Sequence, residues 1–112
     1  MFGKAKTIDS ISRRIIGEWR AEAASGHAHS VITATFYADA TFFVRTELTG
    51  PGETSRAISQ AGRYRVEPID KTRFRLFTVD EEGTPQPPSI RTFADENTMV
   101  TEVGRLTFSR VA

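Results

Sequence analysis

Val31-Ile-Thr-Ala-Thr-Phe36-Tyr-Ala-Asp-Ala40-Thr-Phe-Phe-Val-Arg45 is the stretch that decides the fold. Ile32, Ala34 and Phe36 stand opposite Val31, Thr33, Thr35 and Tyr37, the period-two alternation of a strand with one buried face. Ala38-Asp39-Ala40 leaves room only for a tight turn. Beyond it Phe42, Val44 and Leu48 alternate with Phe43, Arg45 and Glu47. Two strands joined this closely form an antiparallel hairpin.

The same period extends in both directions. Upstream, Trp19, Ala21 and Ala23 share one face of a strand and Glu18, Arg20 and Glu22 the other. Downstream of Gly50-Pro51-Gly52, Ile58, Gln60, Gly62, Tyr64 and Val66 fall opposite Ala57, Ser59, Ala61, Arg63 and Arg65, with a bend expected at Gly62. Ile69-Asp70-Lys71 turns the chain into Phe74, Leu76 and Thr78, set against Arg73, Arg75 and Phe77. Asp80 to Pro88, with Gly83 and three prolines, reads as the longest loop. Ile90 to Phe93, Thr98 to Val103 and Arg105 to Val111 complete roughly eight strands.

Only before Gly17 does the period change. Ile8, Ile11 and Ile15 recur at i, i+3 and i+7, the apolar stripe of a short helix. Thr7 supplies its N-cap, Asp9 suits the positive end of its dipole, and Arg13 and Arg14 occupy its last turn. Residues 1–16 therefore read as a tail and capping helix, and 17–112 as one β domain.

Composition agrees. A chain of 112 residues builds one domain, and 38% apolar with 26% charged residues is a globular balance. Thr, Ile and Val number 14, 8 and 7 against three Leu, a strand-forming bias. A net charge of +1 gives no global field for nucleic acid or an anionic membrane, so neither is expected as a partner. The absence of cysteine removes disulfides, thiolate metal sites and Cys nucleophiles. The first ten residues lack the apolar run of a signal peptide, and no segment approaches the roughly 18 apolar residues of a membrane span. The expected compartment is the cytoplasm.

A meander of eight short strands closes into a barrel or folds into two four-stranded sheets, and periodicity serves both. Three landmarks favour the barrel: Gly17-Glu18-Trp19 at the first strand, Thr35-Phe-Tyr-Ala-Asp-Ala-Thr-Phe42 across the hairpin, and Leu106-Thr-Phe-Ser-Arg110 in the last strand. With Gly62-Arg63-Tyr64 and Asp95 to Met99 they resemble the lipocalin-like, or calycin, barrels, small bacterial domains among them. The resemblance runs from Ile8 to Val111. It implies an up-and-down antiparallel barrel of about eight strands, closed at one end by the helix. It also implies that Gly17, Trp19 and Arg110 form a structural signature, the arginine lying across the indole where the first and last strands meet.

By analogy with that superfamily, the expected function is binding of a small apolar ligand. The ligand would enter opposite the helix, contact Ile32, Phe36, Phe42, Val44, Phe74 and Leu76, and be oriented by Gln60 and Tyr64. The competing reading is a barrel filled by Trp19, Phe36, Phe42, Phe74 and Phe108, serving as a structural or protein-interaction module.

Other chemistry has little behind it. His27 and His29 form the only metal-like spacing, yet they are the sole histidines, follow a Ser25-Gly26 turn and lack a third ligand, so they read as solvated. No cofactor, metal or catalytic residue is expected; no Gly-x-Ser-x-Gly or phosphate-binding glycine run occurs. Arg63, Arg65, Arg73 and Arg75 face outward on adjacent strands, extended by Arg45 and Arg91, and this stripe could serve nucleic acid only if free of carboxylates. Outward Val31, Phe43, Phe77, Val79 and Val100 are the wall on which a homodimer would pack.

Overall fold

Eight antiparallel strands, each bonded to its sequence neighbours, close into one barrel in the computed structural model of the protein. The structure describes residues 10–25, 28–50, 55–102 and 105–111. Ile8 with Thr7 and Asp9, His27, the Pro51-Gly52 part of its loop, and Val103 lie outside the described residues. The strands are β1 (Gly17–Ser25), β2 (Ala28–Phe36), β3 (Thr41–Thr49), β4 (Ser55–Pro68), β5 (Arg73–Asp80), β6 (Ser89–Asp95), β7 (Thr98–Thr101) and β8 (Thr107–Arg110). A helix, α1, occupies residues 10–15. No helix among the described residues is long and apolar enough to cross a membrane.

The β2–β3 turn is closed by Tyr37 N–H on the Thr41 carbonyl (2.9 Å) and Ala40 N–H on the Tyr37 carbonyl (3.2 Å). That geometry drives Ala40 to φ 69°, the left-handed region in which a Cβ is strained. Asp39 compensates by accepting from both the backbone N–H and the hydroxyl of Thr41. Its carboxyl is held below the ordinary range chiefly by the Thr41 hydroxyl.

The β7–β8 connection is wider than the sequence pattern implies. Thr101 N–H donates to the Leu106 carbonyl and Leu106 N–H to the Thr101 hydroxyl, both at 2.9 Å, while Arg105 takes φ 46°. Those bonds use residues 105 and 106 for the turn, so β8 begins at Thr107 rather than at Arg105.

Barrel closure rests on a short seam. Among the described residues β1 and β8 share the pairs Trp19–Arg110 and Arg20–Ser109, continued by Val111 N–H on the Glu18 carbonyl at 2.8 Å. The Arg110 guanidinium carbon lies 4.2 Å from the Trp19 ring centroid. Arg110 also donates to the carbonyls of Arg14, Ile16 and Glu96, tying α1 and the β6–β7 turn to the seam. Trp19 Nε1 donates to the Ile15 carbonyl at 2.9 Å, a contact that needs the chain to reverse sharply between helix and strand; Gly17, at φ 133°, supplies the reversal.

Ile11 and Ile15 of α1 are fully buried against Trp19, Phe74, Phe93, Met99 and Phe108, which fill the helix end of the barrel. Phe93 stacks on Phe74 at 5.1 Å between centroids, and the Arg14 guanidinium covers its other surroundings at 4.3 Å.

The opposite end is built differently. β4 is 14 residues long and pairs with β3 from Ser55 to Arg63, but with β5 only from Gly62 onward. Residues 55–61 therefore project with β1, β2 and β3 past the end of β5, which accounts for the elongated 56 × 31 × 25 Å shape. Gly62 marks the branching point, where any Cβ would collide with the Val79 carbonyl.

Candidate functional site

Where β4 parts from β5, the wall leaves a cavity of about 520 Å³. It lies between the β5–β6 connection and the start of β3: Phe36 and Phe42 flank the β2–β3 turn, and Phe42, Gly62 and Asp80 stand in one row across β3, β4 and β5. Phe36, Phe42, Val44 and Leu76 give it apolar walls; Gln60, Thr78 and Ser89 add neutral polar groups. Asp80, Glu81, Glu82 and Gln86 form its rim on the connecting loop. The volume lies within the roughly 300–1,000 Å³ of small-molecule sites, as do those of other surface clefts, and apolar and polar groups share the lining about equally.

Of the residues named from the sequence, Phe36, Phe42, Val44, Gln60 and Leu76 line this cavity. The other three sit elsewhere. Phe74 has no exposure and belongs to the packed end. Ile32 is part-buried against the core, outside the lining. Tyr64 donates its hydroxyl to the Tyr37 carbonyl (2.8 Å), packs edge-on against Phe36, and has its pKa raised by burial first and then by Asp39. Its polar group is thus used in holding the β2–β3 turn to β4.

Arg91 is the residue that sequence reasoning placed wrongly. It pairs with Phe74 across β5 and β6, so it shares the inward face, and it enters the cavity instead of extending the outer stripe. Its guanidinium carbon lies 5.2 Å from the Phe108 ring and 5.9 Å from the Phe36 ring. Nε donates to the Ser89 hydroxyl at 3.3 Å, and Nη1 has only the Met99 sulfur, at 4.0 Å. Nη2 has no acceptor among the described residues, and since no fully enclosed side-chain nitrogen among them lacks a partner, it keeps contact with solvent. No carboxylate among the described residues pairs with Arg91. Burial pushes its pKa down to about 10, which still leaves a cation at neutral pH. Two facing aromatics return about 0.5–2 kcal/mol each, against a desolvation cost of several kcal/mol for an unpaired buried ion.

The outer arginines are placed in the opposite way. Arg65 and Arg75 both reach Glu67, Arg73 reaches Asp70 at 2.8 Å and Arg45 reaches Glu47 at 3.1 Å. These pairs neutralise most of the stripe. Arg65 also covers the Phe77 ring at 3.9 Å, and Val31, Val79 and Val100 are part-buried, so the outward wall keeps Tyr37 and Phe43 as its exposed aromatics. His29 is exposed on β2, and no group of three potential metal-ligating side chains occurs among the described residues.

Comparison of the chain with protein-family models, with curated proteins and with solved structures gives no match.

Proposed function

We propose that the protein is a lipocalin-like barrel that binds a small, largely apolar molecule in the cavity between β4 and the β5–β6 connection. The observation behind this reading is the division of the interior. Trp19, Phe74, Phe93, Met99 and Phe108 pack together in the core, while Phe36, Phe42, Val44 and Leu76 wall a cavity of about 520 Å³. The cavity is open to solvent on one side, and an occupant with an apolar body would cover its apolar wall. Gln60 and Ser89 supply hydrogen-bonding groups able to orient the occupant.

Titration with Nile red, a neutral apolar fluorophore, tests the reading. The expected result is a blue-shifted, saturable signal at one probe per chain, lost in Val44→Trp, where the indole occupies the cavity. A wild-type protein that leaves the probe's emission unchanged, or binds it no differently from Val44→Trp, overturns the proposal.

A further inference from the structure

We infer that two copies of the chain pair through the open edge of β4, strand against strand about a two-fold axis at Ile58. The inference is independent of the small-molecule reading, and its surface is not the outward wall around Phe43. It starts from the backbone. Tyr64 N–H donates to the Ala40 carbonyl, so the even-numbered residues of β4 spend their backbone groups on β3. The odd-numbered residues face the side of β5, which pairs with β4 only from Gly62 onward. Ala57 and Ser59 therefore present N–H and C=O groups that have no backbone partner among the described residues.

Natural edges are guarded by lysine, proline or a bulge, because an unguarded row of donors and acceptors templates another strand. Residues 56–60, Arg-Ala-Ile-Ser-Gln, carry neither lysine nor proline and pair with β3 in unbroken register. At their midpoint stands Ile58, 47% exposed. Antiparallel pairing of this segment with itself sets Ile58 against Ile58, Ala57 against the second copy's Ser59, and Arg56 against its Gln60. The first contact buries apolar surface that each copy alone leaves in water. The second forms ladder bonds on both sides of the axis.

The third contact favours a second copy as the occupant. Gln60 shares the cavity lining with Asp80, Glu81 and Glu82. Arg56 of each copy thus arrives at the other's acidic rim, and no like charges face each other along the pairing. Within one chain, neither Arg56 nor Glu81 or Glu82 has an ion-pair partner among the described residues. An edge this short belongs with weak, reversible interfaces, so the dimer forms at high protein concentration.

Cross-linking and sedimentation velocity test the pairing. The chain has no cysteine, so Ile58→Cys introduces a single thiol on the axis. Facing Cα atoms of such a non-hydrogen-bonded pair stand about 4.5 Å apart, within the disulfide span of about 4.4–6.8 Å. Diamide oxidation should convert most of Ile58→Cys to a linked dimer and leave Arg56→Cys, which faces Gln60, largely monomeric. Wild type should sediment as a growing fraction of dimer with rising concentration. Ala57→Pro should abolish that rise while keeping a strand-like far-UV spectrum, since its N–H makes no bond to β3. Arg56→Glu should weaken association at least tenfold, and adding Glu81→Lys and Glu82→Lys should restore it. A wild-type protein that stays monomeric to its solubility limit overturns the inference. So does cross-linking of Arg56→Cys as ready as that of Ile58→Cys, or an association that Phe43→Glu abolishes and Ala57→Pro leaves intact. Should Ala57→Pro fail to fold, the wild-type sedimentation and the two cysteine variants decide without it.

Discussion

Replacing Arg91 by methionine, close in length and able to fill the same path without charge, should stabilise the ligand-free protein. In the native barrel the guanidinium exchanges water for a serine hydroxyl, a distant thioether sulfur and two ring faces. Removing such a charge in favour of a packed apolar side chain has gained about 1–4 kcal/mol where buried ionic groups were replaced elsewhere. Here the cavity still lets solvent reach Nη2, and two cation–π contacts are lost, so the lower end applies, about 1–2 kcal/mol. At about 4 °C per kcal/mol for a domain of this size, the melting midpoint should rise by roughly 4–8 °C. Urea unfolding followed by Trp19 fluorescence gives the same quantity, provided the slope with denaturant is unchanged. A midpoint lowered by more than a few degrees would refute the reasoning, because it would make Arg91 part of the scaffold.

Three further changes probe the frame around the cavity. Ala40→Gly should relieve the left-handed strain of about 1–2 kcal/mol and lose part of it to the unfolded chain's entropy, a net gain of about 0.5–1 kcal/mol measurable as a slightly higher midpoint; an unchanged or lower midpoint would show that the turn tolerates Cβ freely. Gly62→Ala should destabilise by about 1–3 kcal/mol, because its methyl group meets the backbone of β5 and forces β4 away from Val79; a neutral effect on the denaturation midpoint would contradict the branching geometry. Asp70 accepts from the N–H groups of Thr72 and Arg73 and from Arg73 Nε, which hold its carboxyl well below the ordinary carboxylate range. A lowered folded pKa gives stability that is complete above the unfolded value and is lost as pH falls toward the folded one. The stability gap between wild type and Asp70→Asn should therefore be constant near neutrality and shrink below about pH 4; a gap that widens on acidification would reverse the assignment.

Alternation made the barrel legible because most strands have one unmistakably apolar face: Phe36 and Phe42 flank the first turn, and Phe74 and Leu76 follow the second. It failed at Arg91 for a definite reason. Ile90 and Phe93 are three residues apart and fall on opposite faces, so hydrophobicity alone leaves the inward side of β6 undecided. Pairing with β5 decides it, placing Phe93 beside Phe74 and bringing Arg91 inward as well. Gln60 and Ile58 illustrate a different limit. Their face was readable, but a face is buried only where another wall stands across from it, and β4 outruns β5; Ile58 remains 47% exposed. Tyr64 was visible as a polar group on an apolar face, yet its acceptor is a turn carbonyl 27 positions away, which no local pattern encodes.

The short seam and the cavity are two consequences of the same arrangement. A short backbone seam joins β1 to β8, and Arg110 reinforces it with side-chain bonds to Arg14, Ile16 and Glu96 and a stacked indole. Those contacts all lie at the helix end, where Ile11 and Ile15 also pack. With closure reinforced at the seam, the wall need not be continuous where β4 runs past the end of β5. β4 can then leave β5 at Gly62 without exposing the main core, and the opening so made is the mouth of the cavity. A barrel knit evenly along its length would have no such gap.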